Sequence, residues 1–252
     1  MPSPNRNSTA ANGCRSMDES GAADPKAKRF HIRMAPSMLS FVLHRIDAME
    51  EFRYFTVSAI ESEKKSISER FNKATNELSE EEKAEYYEWN SEDYFMVSDV
   101  FSQISLRSFV VVLYSYIEDG MNVLCNAEYR DRARLAKIQG LPDFKIKYKD
   151  MKGEGIDRAK TYLEKVIGRD LHSGEQPWSE IDTLRRIRNA IVHADAKAND
   201  KIKGDGNFKR HVQDRSLGLE HERTIVINVP YLDYILANVR QFFNSINVKN
   251  AT

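Results

Sequence analysis

The stretch Phe101–Leu124, FSQISLRSFVVVLYSYIEDGMNVL, is the most apolar part of the chain, and its spacing decides the fold. Apolar residues recur in it every three to four positions, which is typical of an α-helix. We predict a helix that starts near Glu80 or Ser91 and lies at the centre of the core. The apolar positions that we expect to face inward are Phe95, Val97, Phe101, Ile104, Phe109, Leu113, Ile117, Met121 and Leu124.

A long first helix is predicted from Pro36, because helical spacing continues without a helix breaker until beyond Leu78. The polar stretch from Glu61 to Glu85 that follows its apolar part is either an exposed helical hairpin tip or a mobile connection. The inward positions of this helix are Met38, Phe41, Val42, Ile46, Met49, Phe52, Phe55 and Ile60.

Glycine and proline divide the second half of the chain. Breakers at 140–142 and 153–155 bracket a basic loop, and a shorter helix is expected from Ile156 to Leu171. Ser179, with Asp182 three residues later, resembles a capping box that opens the next helix, which ends near 195–198. The loop lysines are Lys145, Lys147, Lys149 and Lys152.

The last part of the chain is predicted as a long loop over 199–222, with a small β-hairpin near 208–229. Pro230 suits the first turn of a terminal helix. Its inward positions are Tyr231, Tyr234, Ile235, Val239, Phe242, Phe243 and Ile246. The chain is therefore all-α, an antiparallel helical bundle with long N-terminal helices. We expect a flexible tail over 1–28 and a single domain over 29–252 with a basic insertion at 131–155.

Composition indicates a globular protein without a membrane role. The 252 residues carry equal numbers of acidic and basic side chains, 38 of each. The longest apolar run, Phe109–Tyr114, is far shorter than the roughly 20 residues of a membrane span. Cys14 and Cys125 lack metal-ligand spacing, and Cys125 is expected to be a buried thiol, so a cytoplasmic location fits.

The charge is unevenly distributed, although the sum is zero. Residues 50–99 contain 14 acidic and 6 basic side chains, whereas residues 181–215 contain 9 basic and 5 acidic ones. The second segment is locally cationic, which is compatible with a phosphate-bearing ligand. Solvated helix faces and loops explain the scattered lysines equally well.

Chemistry is suggested by Arg188-Asn189-Ala190-Ile191-Val192-His193. At about 100° per residue, Arg188 falls inside the apolar arc of its helix. A guanidinium buried among aliphatic side chains costs several kcal/mol unless an anion or a partner satisfies it. His193 lies about 140° further round, so the two residues flank one edge of the helix. The aliphatic positions of the arc are Ile181, Leu184, Ile187, Ile191 and Val192.

Three further residues are predicted to support the Arg188/His193 pair. Glu118 lies at the margin of the central helix, where it either pairs with Arg188 or is an ordinary helix-edge glutamate. Arg185 and Asp195 flank the Arg188/His193 pair. The chain has no phosphate-binding loop, no nucleophile elbow and no zinc-binding helix, so we expect no metal site and no cofactor.

The string from Arg188 to His193 resembles the HEPN superfamily, which is defined by an arginine followed after four to six residues by a histidine, frequently with asparagine next to the arginine. The match covers Arg188, Asn189 and His193, in the penultimate long helix of an all-α chain. Over the remainder of residues 30–248 the resemblance lies in helix order alone.

The resemblance implies a homodimer whose composite cleft brings together two arginines and two histidines. Many members are metal-independent endoribonucleases. His193 would then act as general acid or base, Arg188 would stabilise the charged phosphorus, and Asn189 would bind the phosphate. The residue types agree, because histidine titrates near neutral pH and arginine offers a fixed fork for phosphate oxygens.

One position departs from the family pattern. Members controlled by a partner nucleotidyltransferase often carry tyrosine two residues after the histidine, and here Asp195 stands there. Two functions follow from the resemblance. The first is a toxin-like or defence-related endoribonuclease acting on RNA, with an antitoxin or regulatory protein as a further partner. The alternative is a non-catalytic dimeric module that binds a nucleotide, RNA or a protein.

Overall fold

The computed structural model describes residues 36–169, 171 and 176–248. The predicted flexible tail over 1–28 and Cys14 lie outside the described residues.

The first helix, α1, spans Pro36–Thr75, and the second, α2, spans Glu80–Phe95. A capping box begins α2: the Ser79 hydroxyl accepts from the Glu82 backbone N–H, and the Glu82 carboxylate accepts from the Ser79 N–H at 2.8 Å. The long first helix is confirmed. Of the two interpretations of the polar stretch, the structure has the exposed helical hairpin tip.

The central helix begins at Glu80, as one of the two predicted starts has it. The π-helical turn Met96–Phe101 joins α2 to α3, which spans Ser102–Ile138. This continuous stretch contains an 18-residue window of mean hydropathy 1.4, of which 28% is buried. Its length and composition alone would allow a membrane span, so the absence of a membrane role stays a prediction.

Half of the inward positions predicted for α1 and α3 are correct. In α3, Phe109, Leu113, Ile117, Met121 and Leu124 are buried. The prediction is wrong for several aromatic and aliphatic residues on the other side of these helices, because neither helix is covered all round by the rest of the fold. The exposed residues among them are Phe41, Phe52, Phe55, Phe95, Phe101 and Ile104.

The helix that follows the basic loop is shorter than predicted. Helix α4 spans Gly155–Tyr162 and continues in a π-turn to Ile167, not to Leu171. Gly168 ends it in the left-handed conformation, with φ 77°, which glycine adopts without a Cβ penalty. Before α4, α3 continues to Ile138, so the irregular part of the predicted insertion is confined to 139–154 and includes one 3-10 turn, Tyr148–Asp150.

Helix α5 spans Gln176–His193, so the predicted capping box at Ser179 and Asp182 is wrong. Ser179 lies inside the helix, and its hydroxyl donates to the Gln176 carbonyl at 3.0 Å. Asp182 accepts from arginines instead of completing a capping box. The helix also ends at His193 rather than at 195–198.

The predicted loop over 199–222 is largely wrong, because two short helices occupy it. Helix α6 spans Asp200–Lys203 and α7 spans Gly206–Gln213, and Asn199 and Asp205 cap their N-termini. The hairpin is confirmed: β1, Leu217–Glu220, pairs antiparallel with β2, Thr224–Ile227. The terminal helix α8, Val229–Val248, buries its predicted positions, with Tyr234 half-buried.

The core lies where α1, α3, α5 and α8 meet, and α4 packs on α3. The fold is therefore mostly helical with one small two-stranded sheet, as the periodicity of the sequence predicts. Its importance for function lies in the contact of α3 with α5, since that contact fixes the surroundings of Arg188.

Candidate functional site

The end of α5 is turned back sharply towards the hairpin. Asp195 and Ala196 have φ of 52° and 58°, and the Ala196 N–H donates to the Ala190 carbonyl at 2.9 Å. The Ala196 carbonyl accepts from the Ile225 N–H at 2.9 Å. This turn leaves His193 at the exposed end of its helix.

Arg188 is half-buried and lacks an anionic partner. Its guanidinium lies over the Tyr114 ring of α3, 5.8 Å from the centroid, and Nη1 donates to the Asn189 side-chain oxygen at 3.0 Å. Its Nε is buried and has no acceptor. No Asp or Glu among the described residues lies within ion-pair distance of the Arg188 guanidinium. A buried charge that is left unpaired costs free energy.

The neighbouring arginine is fully engaged in structure. Arg185 pairs with Asp157 of α4 at 2.7 Å and with Asp182 at 2.6 Å. Arg185 therefore has a structural role, since it joins α4 to α5, and its predicted role at the site stays a prediction.

Of the two alternatives for Glu118, the structure has the helix-edge glutamate, because no ion pair joins it to Arg188. Glu118 lies instead against the start of α4, so close that a Cβ on Gly155 would meet its Oε1 at 3.1 Å. Burial, with the Glu118 carboxylate as the next cause, raises the pKa of Tyr114 to about 12. Tyr114 is thus a neutral aromatic platform beneath Arg188.

The remaining predicted residues, Asn189, His193 and Asp195, are all exposed. Within the described part of the chain, the His193 ring has no hydrogen-bond or ion-pair partner, and Asp195 pairs only with Lys197, at 3.7 Å. The structure therefore keeps Arg188, Asn189 and His193 on one accessible edge of α5 and leaves their ring and amide groups available for a ligand.

Arg107 is a further cation at this edge, and it was not among the predicted site residues. Its Nη2 donates to the Ile225 carbonyl at 2.8 Å, and its buried Nε has no acceptor. Because Ile225 also bonds to Ala196, Arg107 lies beside the turn that follows His193. The sequence held a signal for it, since Arg107 is the one charged residue between Asp99 and Glu118.

An uncharged face of α3 borders the Arg188 edge. It is made by side chains within about 120° of the helix circumference next to Tyr114. Phe101 and Ile104 are each at least half exposed, at 50% and 56%. We call it the α3 face, and it consists of Phe101, Ile104, Ser105, Ser108, Val111, Val112 and Ser115. Val192 of α5, which is 45% exposed, extends it.

A second polar cluster, with a buried centre, lies at the other end of α5. The buried Glu180 carboxylate pairs with Arg210 and lies 2.9 Å from His211 Nε2, and His211 Nδ1 lies 3.2 Å from the Ser216 hydroxyl. The order resembles a hydrolase triad. However, Ser216 and His211 are buried, and the hydroxyl donates to the His211 carbonyl, so this cluster is structural.

The described residues contain no group of three or more His, Cys, Asp or Glu placed to hold a metal ion. Cys125 is buried, as predicted, and burial raises the pKa of its thiol to about 12. Comparison of the chain with protein-family models, with curated proteins and with solved structures finds no match.

Proposed function

We propose that the protein is a metal-independent endoribonuclease of the HEPN type that acts on cytoplasmic RNA in a toxin-like or defence role. One observation carries the proposal: among the described residues, the half-buried Arg188 guanidinium has no carboxylate partner, and the exposed His193 on the same edge of α5 has no partner either. An arginine left without a counter-charge beside an imidazole, which can act as general acid or base, is suited to bind and react with a phosphate.

The reaction needs nothing beyond these residues and the RNA. The ribose 2′-oxygen attacks the adjacent phosphorus, the new O2′–P bond forms, and the P–O5′ bond breaks. His193 takes the 2′-hydroxyl proton and gives a proton to the leaving 5′-oxygen. Arg188 stabilises the added negative charge on the phosphorus oxygens. The products are a 2′,3′-cyclic phosphate and a 5′-hydroxyl end.

Asn189 positions the arginine and has a free donor. Its side-chain oxygen accepts from Arg188 Nη1, so its amide N–H groups are available to a phosphate oxygen. The amide therefore both orients the guanidinium and contributes to phosphate binding.

A homodimer across the α3 face completes the proposed cleft. The face exposes apolar side chains and bears no charge, and a lack of charged residues is typical of the centre of a protein interface. A second copy packed there by two-fold symmetry places the Arg188 edges of both chains together. Each edge then provides one arginine and one histidine.

The experiment compares the wild-type protein with Arg188→Ala and His193→Ala on single-stranded RNA in excess chelator. Each substitution is expected to lower the cleavage rate at least about 10²-fold, the usual effect of losing a general acid/base or a charge stabiliser. Products are resolved by mass, which distinguishes a cyclic phosphate from a 3′-hydroxyl end.

Matched control variants are His44→Ala and Arg70→Ala, whose side chains are exposed on α1. They should retain wild-type rates. Equal activity in the wild type and both site variants, or cleavage that requires added Mg²⁺, contradicts the proposal. RNA binding without any cleavage by the wild type favours the alternative, a non-catalytic dimeric module.

A further inference from the structure

The face of α3 that borders Arg188 continues towards the C-terminal end of the helix and becomes basic. Asn126, Tyr129, Arg130 and Lys137 follow on the same side of the helix as Ile104 and Ser108. Arg45 of α1 pairs with Asp119 at the boundary. One side of α3 therefore carries two surfaces in sequence, the uncharged α3 face and a cationic surface.

A groove marks the start of the cationic surface. Its volume is about 540 Å³, and it lies between the beginning of α1 and the second half of α3. Phe41, which is exposed, and Tyr129 supply aromatic surface, while Asn126 and Arg130 supply polar groups at its edge. The Lys147 ammonium lies over the Tyr129 ring, 5.5 Å from its centroid.

The segment that follows α3 adds further cations and is fixed in place. Tyr162 donates to the Ile146 carbonyl at 3.1 Å, and the Asp150 carboxylate accepts from the Lys147 N–H at 2.8 Å. Phe144, Tyr148 and Met151 pack against the core, so the intervening lysines point outward. The exposed lysines are Lys145, Lys147, Lys149 and Lys152.

The charge of this surface is uncompensated. Residues 129–152 hold eight basic and three acidic side chains. None of the exposed lysines, nor Arg130, Arg134 or Lys137, forms an ion pair with a described residue. A single-stranded nucleic acid presents a charged backbone and bases that can stack. The unpaired cations of this surface match the backbone, and the aromatic rings beside them match the bases.

We propose that this surface binds single-stranded RNA outside the catalytic edge, with bases stacked on Tyr129 and Phe41 and phosphates held by Arg130 and Lys145–Lys149. The inference rests on the proposed endoribonuclease function and names how its substrate is held. Tyr129 follows Tyr114 by fifteen residues, which is about 22 Å along the helix. At roughly 3.4 Å per stacked nucleotide, about six nucleotides separate the groove from Arg188.

The test measures binding and chemistry separately in the full chain. The triple variant Lys145→Gln/Lys147→Gln/Lys149→Gln is titrated with a 20-nucleotide single strand that is 2′-O-methylated and so cannot be cleaved. Its Kd should rise at least about tenfold. The slope of log affinity against log salt should fall by about 2, since each lost phosphate contact on a single strand removes roughly 0.7. Turnover of a dinucleotide, too short to reach the groove, should be unchanged.

A second variant isolates the stacking. Tyr129→Leu should weaken binding of the 20-nucleotide strand about fivefold or more and leave binding of an abasic strand of equal length unaltered. The control is Lys64→Gln/Lys65→Gln/Lys73→Gln on α1, which removes the same charge elsewhere and should leave the Kd unchanged.

Unchanged strand binding in both surface variants overturns the RNA surface. The proposal is also overturned if the surface variants lose binding to phosphatidylserine vesicles but retain RNA binding, because the surface would then recognise anionic lipid. If the wild type cleaves nothing but the triple variant still loses strand binding, the catalytic proposal fails and the binding surface stands.

Discussion

The two ends of α5 carry charged residues that the fold uses in opposite ways. Near its start, Glu180 is buried and accepts from Arg210, His211 and Tyr234, and Asp182 holds two arginines. Near its end, Arg188 contacts an aromatic ring and a neighbouring amide, and no carboxylate in the described part of the chain pairs with it. Charges with partners on other elements build structure, whereas charges without them are available to a ligand.

The largest effect is expected from removing the Glu180 carboxylate, which has partners on other elements. Glu180→Ala leaves the buried His211 without its acceptor and removes the partner of Arg210, and it should destabilise the protein by about 3 kcal/mol. Arg188→Ala should change the free energy of unfolding by less than about 0.5 kcal/mol, because it breaks no ion pair with a described residue. Urea unfolding followed by circular dichroism measures both.

Glu88→Ala, an exposed glutamate of α2, is the matched control for Glu180→Ala and should leave the urea midpoint unchanged. If Arg188→Ala destabilised the protein as much as Glu180→Ala does, the contrast between the two ends would be wrong, and Arg188 would be a structural residue.

A smaller effect is expected from placing a charge on the α3 face. Ile104→Asp puts a carboxylate at the proposed dimer contact and should raise the dimer dissociation constant at least about tenfold, which is about 1.4 kcal/mol. Sedimentation velocity at micromolar concentration measures it. Ile138→Asp, an equally exposed change on another side of α3, should leave the dimer intact. A monomeric wild type would show that the face has another role.

The smallest effect concerns Asp182 and depends on pH. Burial raises the pKa of this carboxyl, but hydrogen bonds from Arg186 and Arg185 lower it more, so it lies below its ordinary value of 3.8. A lowered folded-state pKa stabilises the protein above about pH 4, and this stabilisation is lost as the pH falls further. Asp182→Asn should therefore cost about 1 kcal/mol at pH 7 and progressively less between about pH 4 and pH 2.

Melting temperatures of the wild type and Asp182→Asn across this pH range test the expectation. Asp99→Asn is the control, because this exposed carboxyl bonds locally to Ser98 and joins no arginine. A stability difference that stays constant from pH 7 to pH 3 would show that the ion pairs of Asp182 contribute nothing.

Helix periodicity was sufficient to predict the all-α class, the long first helix and the terminal helix, because local spacing reports which side of a helix is apolar. The hairpin was predicted from the β-branched run Thr224–Val229 and the glycines before it. It was insufficient to predict which apolar side is covered. Phe101 and Ile104 have the spacing of core residues, yet the packing of α1 and α5 on α3 leaves them exposed. The short helices α6 and α7 were missed because their caps, Asn199 and Asp205, lie in a charged, glycine-containing segment.

For the candidate site, the sequence by itself determined the residue types and their edge: an arginine, an asparagine and a histidine within six positions of one helix. Tertiary structure alone decided which charges are neutralised. Arg185 meets Asp157 from α4, Glu118 is held against Gly155, and Arg188 is left over Tyr114. The physical reason is that an ion pair depends on distances between elements far apart in the chain, and helical spacing contains no information about those distances.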